Sequence, residues 1–300
     1  MYSRLLVPLD GSKTAETVLP VARHLAARLK IPVELLAVVD LAEIAAHLPA
    51  DKARVFDAVL ANEAKNSARY LREIAGTFPG ADVKVEVERG RADEVIAVHG
   101  AGAGVLTTMA THGRSGLGRV LVGSVTEKVL RATRNPLLVV RAGAESGAAG
   151  SATLKSVVLP LDGSELAESI LPAVAELAQA LNLELTLFRA YHIPYESYGA
   201  EDNFSALYYD ELIAAVREEA VAYLDKAAAR AKSLGIAKVA CVAKEGLSAD
   251  EIIAHGKKTP GALIAMASHG RSGFKRAVLG SVSETVVRHA TAPVLVLRPG

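Results

Sequence analysis

Met109-Ala110-Thr111-His112-Gly113-Arg114-Ser115-Gly116 returns later in the chain as Met266-Ala267-Ser268-His269-Gly270-Arg271-Ser272-Gly273. Aligned without gaps, 109–141 and 266–298 agree at 18 of 33 positions, which chance does not produce. Upstream, Val7-Pro8-Leu9-Asp10-Gly11-Ser12 returns as Leu159-Pro160-Leu161-Asp162-Gly163-Ser164. A period of about 150 residues describes duplicated domains, since solenoid units run ~20–50. Between the copies, 142–153 is small, polar and glycine-rich, as a flexible linker should be. The expected organisation is therefore a first domain at 1–141, a linker at 142–153 and a second domain at 154–300.

Each copy alternates short β-branched runs with longer helical patterns. In the first, Leu5–Val7 reads as a strand, Ala15 to Leu29 as a helix and Val33 to Val39 as an apolar strand broken only by Glu34. Residues 51–77 read as a helix. Val83, Val85 and Val87 alternate with Lys84, Glu86 and Glu88, so that strand has one wetter face and belongs at an edge. A helix over Asp93–His99, a strand over Val105–Met109, a helix over Ser124–Ala132 and a strand over Leu137–Val140 complete the unit. This rhythm predicts an α/β fold: two tandem doubly wound domains, each with a five-stranded, mostly parallel sheet and right-handed crossovers.

Composition narrows the partners. Of 300 residues, 51% are hydrophobic and 22% charged, which fits globular domains rather than a disordered chain. Thirty-four basic against 33 acidic side chains give a net charge of +1, without the basic excess expected for nucleic-acid or anionic membrane attachment. No apolar run approaches the ~18 residues of a membrane span. Cys241 is the lone cysteine and has no partner for an internal disulfide, and the N-terminal residues lack a secretory apolar region. A cytoplasmic protein is expected.

In open α/β sheets, ligands sit beyond the carboxyl ends of the strands, where the strand order reverses. With strands 1 and 4 adjacent, Asp10-Gly11-Ser12 meets the His112–Gly116 loop, and Asp162 meets His269–Gly273. Gly113, Gly116 and Gly123-Ser124 let backbone amides approach phosphate oxygens, and the following helix start favours an anion. Ser124-Val125-Thr126-Glu127 and Ser281-Val282-Ser283-Glu284 also read as capping boxes, which explains the serines through helix initiation.

On these residues the chain resembles the universal stress protein family, and the resemblance covers each half from end to end. The family's phosphate loop is G-x2-G-x9-G-[S/T]. Gly113, nine residues and Gly123-Ser124 fit its later part, as do Gly270, nine residues and Gly280-Ser281. Its first glycine is replaced by Ala110 and Ala267, which adds a methyl where the family brings backbone close to ligand. The resemblance implies a Rossmann-like sheet of order 3-2-1-4-5 and pairing through the last strands, which would join Leu137–Val140 to Val294–Leu297. It implies an adenine or ribose contact at Asp10 and Asp162, and an adenine contact at the backbone of Val38 and, by the repeat, Ala190. It further implies ATP, ADP or AMP as ligand, Mg²⁺ or Mn²⁺ arriving with the phosphates, a homodimer of tandem chains and an unidentified protein partner.

Other features carry less. Gly11-Ser12-Lys13-Thr14 lacks the glycine and lysine spacing of a P-loop. His112 and His269 suit a loop-ordering hydrogen bond or a phosphate contact, because no carboxylate pair or nucleophile stands near them in sequence. Arg114, Arg119, Arg271 and Arg276 are candidate phosphate partners. Six of the 13 aromatic residues, Tyr191, Tyr195, Tyr198, Phe204, Tyr208 and Tyr209, cluster in the second half as a lid, a protein interface or packing for the helix that follows. The leading functional reading is an adenine-nucleotide-binding stress regulator. A nucleotide-free dimerising scaffold is the alternative, and an ATP-using enzyme is a third reading that no H-I-G-H, K-M-S-K-S or S-G-G-x-D-S motif supports.

Overall fold

The computed structural model describes residues 2–40, 53–111, 123–141, 153–193, 206–268 and 279–298. The first half runs β1 (Arg4–Pro8), a 3-10 turn (Ala15–Val18), α1 (Leu19–Leu29), β2 (Val33–Val39), α2 (Ala53–Ala75), β3 (Val83–Arg89), α3 (Ala92–Gly100), β4 (Val105–Ala110), α4 (Ser124–Ala132) and β5 (Leu137–Val140). The second repeats it as β6 (Ser156–Pro160), α5 (Glu165–Ser169), α6 (Leu171–Leu181), β7 (Glu184–Tyr191), α7 (Ala206–Ser233), β8 (Val239–Glu245), α8 (Ser248–Lys258), β9 (Ala262–Ala267), α9 (Ser281–His289) and β10 (Val294–Leu297). The segment expected to link the halves lies outside the described residues except for Thr153.

The helix expected over Ala15–Leu29 is two pieces. Pro20 has no amide to continue a helical ladder and sits at the start of α1, so the chain spends one 3-10 turn before it. Pro172 divides α5 from α6 in the same way.

The ten strands form one sheet of order β3-β2-β1-β4-β5-β10-β9-β6-β7-β8. Each half is parallel and runs 3-2-1-4-5. The seam is antiparallel, with Val294 opposite Val139, Leu295 opposite Leu138 and Val296 opposite Leu137. Val83–Arg89 forms one outer edge, where its alternating charges meet water, and β8 forms the other.

Both sheet faces are covered. Leu5, Val7, Leu35, Leu159 and Leu187 share one apolar layer with α1, α2, α6 and α7. Leu6, Leu36, Val158 and Phe188 share the other with α3, α4, α8 and α9. Each layer runs across both halves, so the seam lies inside continuous core. Arginines lock it reciprocally. Arg141, after β5, donates to the His289 carbonyl at the end of α9 (2.7 Å), and Arg298, after β10, donates to the Arg131 carbonyl near the end of α4 (3.2 Å). A cation at a helix C-terminus meets both unpaired carbonyls and the negative end of the dipole.

Glu34 is the polar interruption in β2, and it is only 1% exposed. Its carboxylate pairs with the Arg4 guanidinium and with His99 Nδ1 (2.5 Å), while Arg4 also donates to the His99 carbonyl (2.9 Å). The second half has Ser156 and Thr186 at the corresponding registers and builds the place without charge. Because removal of one partner strands a buried charge, Arg4→Met should cost about 3 kcal/mol in chemical denaturation. An equal cost for Ser156→Met would assign the loss to shape rather than charge.

His255 packs its ring 5.1 Å from Phe188, and burial first, then Lys258, lower its pKa from 6.5. The unfolded chain therefore takes up this proton first as pH falls. The stability tied to neutral His255 is intact above about pH 6.5 and is lost as pH drops toward the folded-state value. Denaturant midpoints measured at ~pH 7.5 and ~pH 5.5 should differ less in His255→Phe than in the unsubstituted protein.

Candidate functional site

The site begins with the turn that ends β1. Gly11 has φ +80°, a conformation in which a side chain would be strained, and this lets the chain fold back on Asp10. Asp10 Oδ1 accepts from the Ser12 amide (2.9 Å) and hydroxyl (2.6 Å), and Ser12 Oγ accepts from the Ala15 amide (3.0 Å). Asp162, Gly163 at φ +84° and Ser164 repeat this arrangement, with distances of 2.9, 2.6 and 3.1 Å. In each half the carboxylate is fixed at the carboxyl end of a central strand.

The capping-box reading of the serines is overturned. Gly123 and Gly280 are the N-caps, so Ser124 and Ser281 already belong to the helices, one position too late to cap. The third helical position serves the strand instead: Thr126 Oγ1 donates to the Ala110 carbonyl (2.8 Å) and Ser283 Oγ to the Ala267 carbonyl (2.9 Å). Gly123 N–H bonds the Thr111 carbonyl and Gly280 N–H the Ser268 carbonyl. The Glu127 and Glu284 amides make the first intrahelical bonds. The amides of Ser124, Val125 and Thr126 thus have no acceptor within α4, the ordinary condition of a helix start that faces an anion. Gly123 lies at φ −56°, ψ 145°, which any residue adopts, so its backbone does not demand glycine.

A cleft of about 1160 Å³ opens over the carboxyl ends of β1, β2 and β4 in the first half. It brings together Asp10, Val38, Ala110, Gly123 and Ser124 from the sequence-derived set. His112, Gly113, Arg114 and Gly116 lie outside the described residues, as do His269, Gly270, Arg271 and Gly273. Ala110 is the buried last residue of β4, and its carbonyl is taken by Thr126.

The cleft also holds residues the sequence reading missed. Tyr70 of α2 reaches Glu16 through its hydroxyl (3.4 Å), and burial, then Glu16, push the phenol above its usual range. Arg91 and Asp93 at the start of α3 and Lys128 on α4 line the opposite side. Charge is therefore divided across the sheet end. Asp10, Asp40, Glu63 and Glu73 outnumber Arg69 toward β1, β2 and α2, whereas Arg91 and Lys128 outnumber Asp93 toward α3 and α4. Such a cleft suits a molecule with hydroxyl or amino donors at one end and negative charge at the other. Lys128 was legible in principle, since it follows Ser124 by one helical turn.

The second half places Asp162, Ala190, Ala267, Gly280 and Ser281 at corresponding strand and helix ends. Its surroundings differ. Ala37, which lines the first cleft, corresponds to Arg189, whose side chain is 11% exposed, lies 4.4 Å from the centre of the Tyr223 ring and pairs with Glu219 (3.3 Å). Tyr223 bonds Glu168 (2.9 Å) as Tyr70 bonds Glu16. A small residue that lines the cleft in one half is thus replaced in the other by a guanidinium stacked on the tyrosine ring. Of the aromatic cluster, Tyr191 ends β7 and Tyr208 and Tyr209 fall within α7, while Tyr195, Tyr198 and Phe204 lie outside the described residues.

The family model for the universal stress protein family matches residues 1–141 and again 153–298. Universal stress protein YxiE of Bacillus subtilis (strain 168) is 30% identical over 148 residues, 47% of this chain and 97% of that protein. Universal stress protein MJ0531 of Methanocaldococcus jannaschii is 29% identical over 150 residues, 50% of this chain and 85% of its own. The crystal structure of a universal stress protein from Archaeoglobus fulgidus DSM 4304 superposes over 100% of both chains with TM-score 0.68 and 19% identity, a likeness of fold.

Thr126→Val keeps the shape of the side chain and leaves the buried Ala110 carbonyl without its donor. It should lower stability by about 1–3 kcal/mol, read from denaturant midpoints. Ser124→Ala, one turn position away from any cap, should leave the midpoint nearly unchanged; a larger loss there would restore the capping role.

Proposed function

This chain belongs to the universal stress protein family, whose domain it carries twice, and on that premise we propose that it binds ATP, or ADP or AMP, as a cytoplasmic stress regulator whose occupancy a partner protein reads. The observation that carries this reading is the first-half cleft, in which Asp10, Val38 and the helix-start amides of α4, which have no acceptor within that helix, converge. The chemistry of the donors fits the ligand. Carboxylates toward β1 and α2 suit ribose hydroxyls, while the helix start, Arg91 and Lys128 suit phosphates. A glycine at an N-cap whose backbone does not require one leaves room for an oxygen to come close. Mg²⁺ or Mn²⁺ would arrive on the phosphates and screen their charge from Asp10. Phosphate contacts by His112, Gly113, Arg114, Gly116 and their second-half counterparts belong to the same proposal.

The two sites are unequal in this reading. In the second half Gly280 and Ser281 would supply the phosphate cradle and Asp162 the ribose contact, but Arg189 stands where Ala37 lines the first cleft. Calorimetry should resolve two affinities for ATP, the tighter one in the first half. Gly123→Val should weaken the tighter site and Gly280→Val the weaker one. Loss of about 3 kcal/mol of phosphate contacts corresponds to more than a hundredfold in affinity. Nucleotide extraction from freshly purified protein provides an independent check. If the folded double variant retains full ATP affinity, the phosphate cradle is not at these helix starts; if no nucleotide binds the unsubstituted chain, the nucleotide-free scaffold reading replaces this one.

A further inference from the structure

We propose that Arg91 and Lys128, held at the mouth of the first-half cleft by Asp93, make that site sensitive to the number of phosphates on its ligand, and that the second-half site has no such sensitivity. The inference rests on the nucleotide reading above and assigns residues outside the family's glycine loop. Asp93, whose side chain is 17% exposed, receives Arg91 Nη2 on one oxygen (3.2 Å) and faces Lys128 Nζ with the other (3.8 Å). All three line the cleft beside Ser124. Glu94 takes the outer side of Arg91 (3.0 Å) and does not line the cleft. The charge facing the α4 start is therefore two cations to one carboxylate. A single carboxylate shared between two half-exposed cations holds them in place and leaves donors on each for a phosphate oxygen.

The rest of the cleft gives the direction. Asp10, Asp40, Glu63 and Glu73, with Arg69 the one cation among them, leave the opposite side of the sheet end net negative, so a phosphate tail is favoured toward Arg91 and Lys128. The second half lacks the device. Leu247, Ala249 and Thr285 stand where Arg91, Asp93 and Lys128 stand in the first, and Leu247 is exposed. Its site keeps a helix start and loses the cations that would reward a longer tail.

Titration of the full chain with adenosine, AMP, ADP and ATP tests this. At the tighter site of the unsubstituted protein, affinity should climb with each phosphate, and the climb should shrink as salt is raised. At the weaker site it should stay nearly flat. The ratio of ATP to adenosine affinity at the tighter site should fall about tenfold in Arg91→Ala or Lys128→Gln and on the order of a hundredfold in the pair. Both side chains are more than half exposed, and circular dichroism checks that the variants fold. Conversely, Leu247→Arg with Ala249→Asp and Thr285→Lys should give the second site a climb of its own. An unchanged ratio in the double variant, with both ligands still bound, overturns this proposal and leaves the nucleotide reading standing. Absence of binding by all four ligands in the unsubstituted chain overturns both.

Discussion

Three residue pairs between β5 and β10 decide the architecture. Leu137–Val140 and Val294–Leu297 are buried on both faces, so neither strand has a side it could turn to water. Each would be a bare apolar edge if it ended its own sheet, and such edges recruit other strands. Pairing them satisfies the backbone and removes the edge, and it turns two five-stranded sheets into one of ten. The outer edges that remain, β3 and β8, have chemistry for exposure: Lys84, Glu86 and Glu88 alternate with valines along the first, and the second ends in Lys244 and Glu245.

Much of this was legible because the sequence states it twice. The alternation in Val83–Val87 placed an edge strand, the family resemblance supplied the strand order, and Ser124–Ala132 and Leu137–Val140 were read to their ends. The errors were local and had local causes. Pro20 and Pro172 divide what helical periodicity reads as one helix, because periodicity follows side chains while proline acts on the amide. The serine before each final helix looked like a cap because its spacing to glutamate is that of a capping box. A glycine one residue earlier took the capping place, and the hydroxyl that matters proved to be at Thr126 and Ser283.

The site was legible along the strands and obscure between the helices. Asp10, Val38, Ala110 and Gly123 sit at strand or helix ends, where a fold of known strand order fixes position. Tyr70, Arg91, Asp93 and Lys128 lie on three different helices whose mutual approach depends on packing, and no linear spacing relates them. The two halves diverge both on a strand, Ala37 against Arg189, and on a helix, Asp93 against Ala249, in charge and size while the strand order is kept. Backbone geometry has been held in common, and side chains facing the two clefts have not.

The crossed arginines have a consequence for how the halves relate as pieces of chain. Arg141 terminates a helix of the second half and Arg298 a helix of the first, so neither half contains the group that finishes its own last helix. A fragment of 1–141 would expose β5 and the carbonyls of α4 together, the same surface that a second identical fragment could cover by a two-fold exchange. In the intact chain both halves of that exchange are covalently joined, so the seam forms at a fixed local concentration however dilute the protein. Carrying both copies in one chain makes this pairing a step of folding rather than an encounter between molecules.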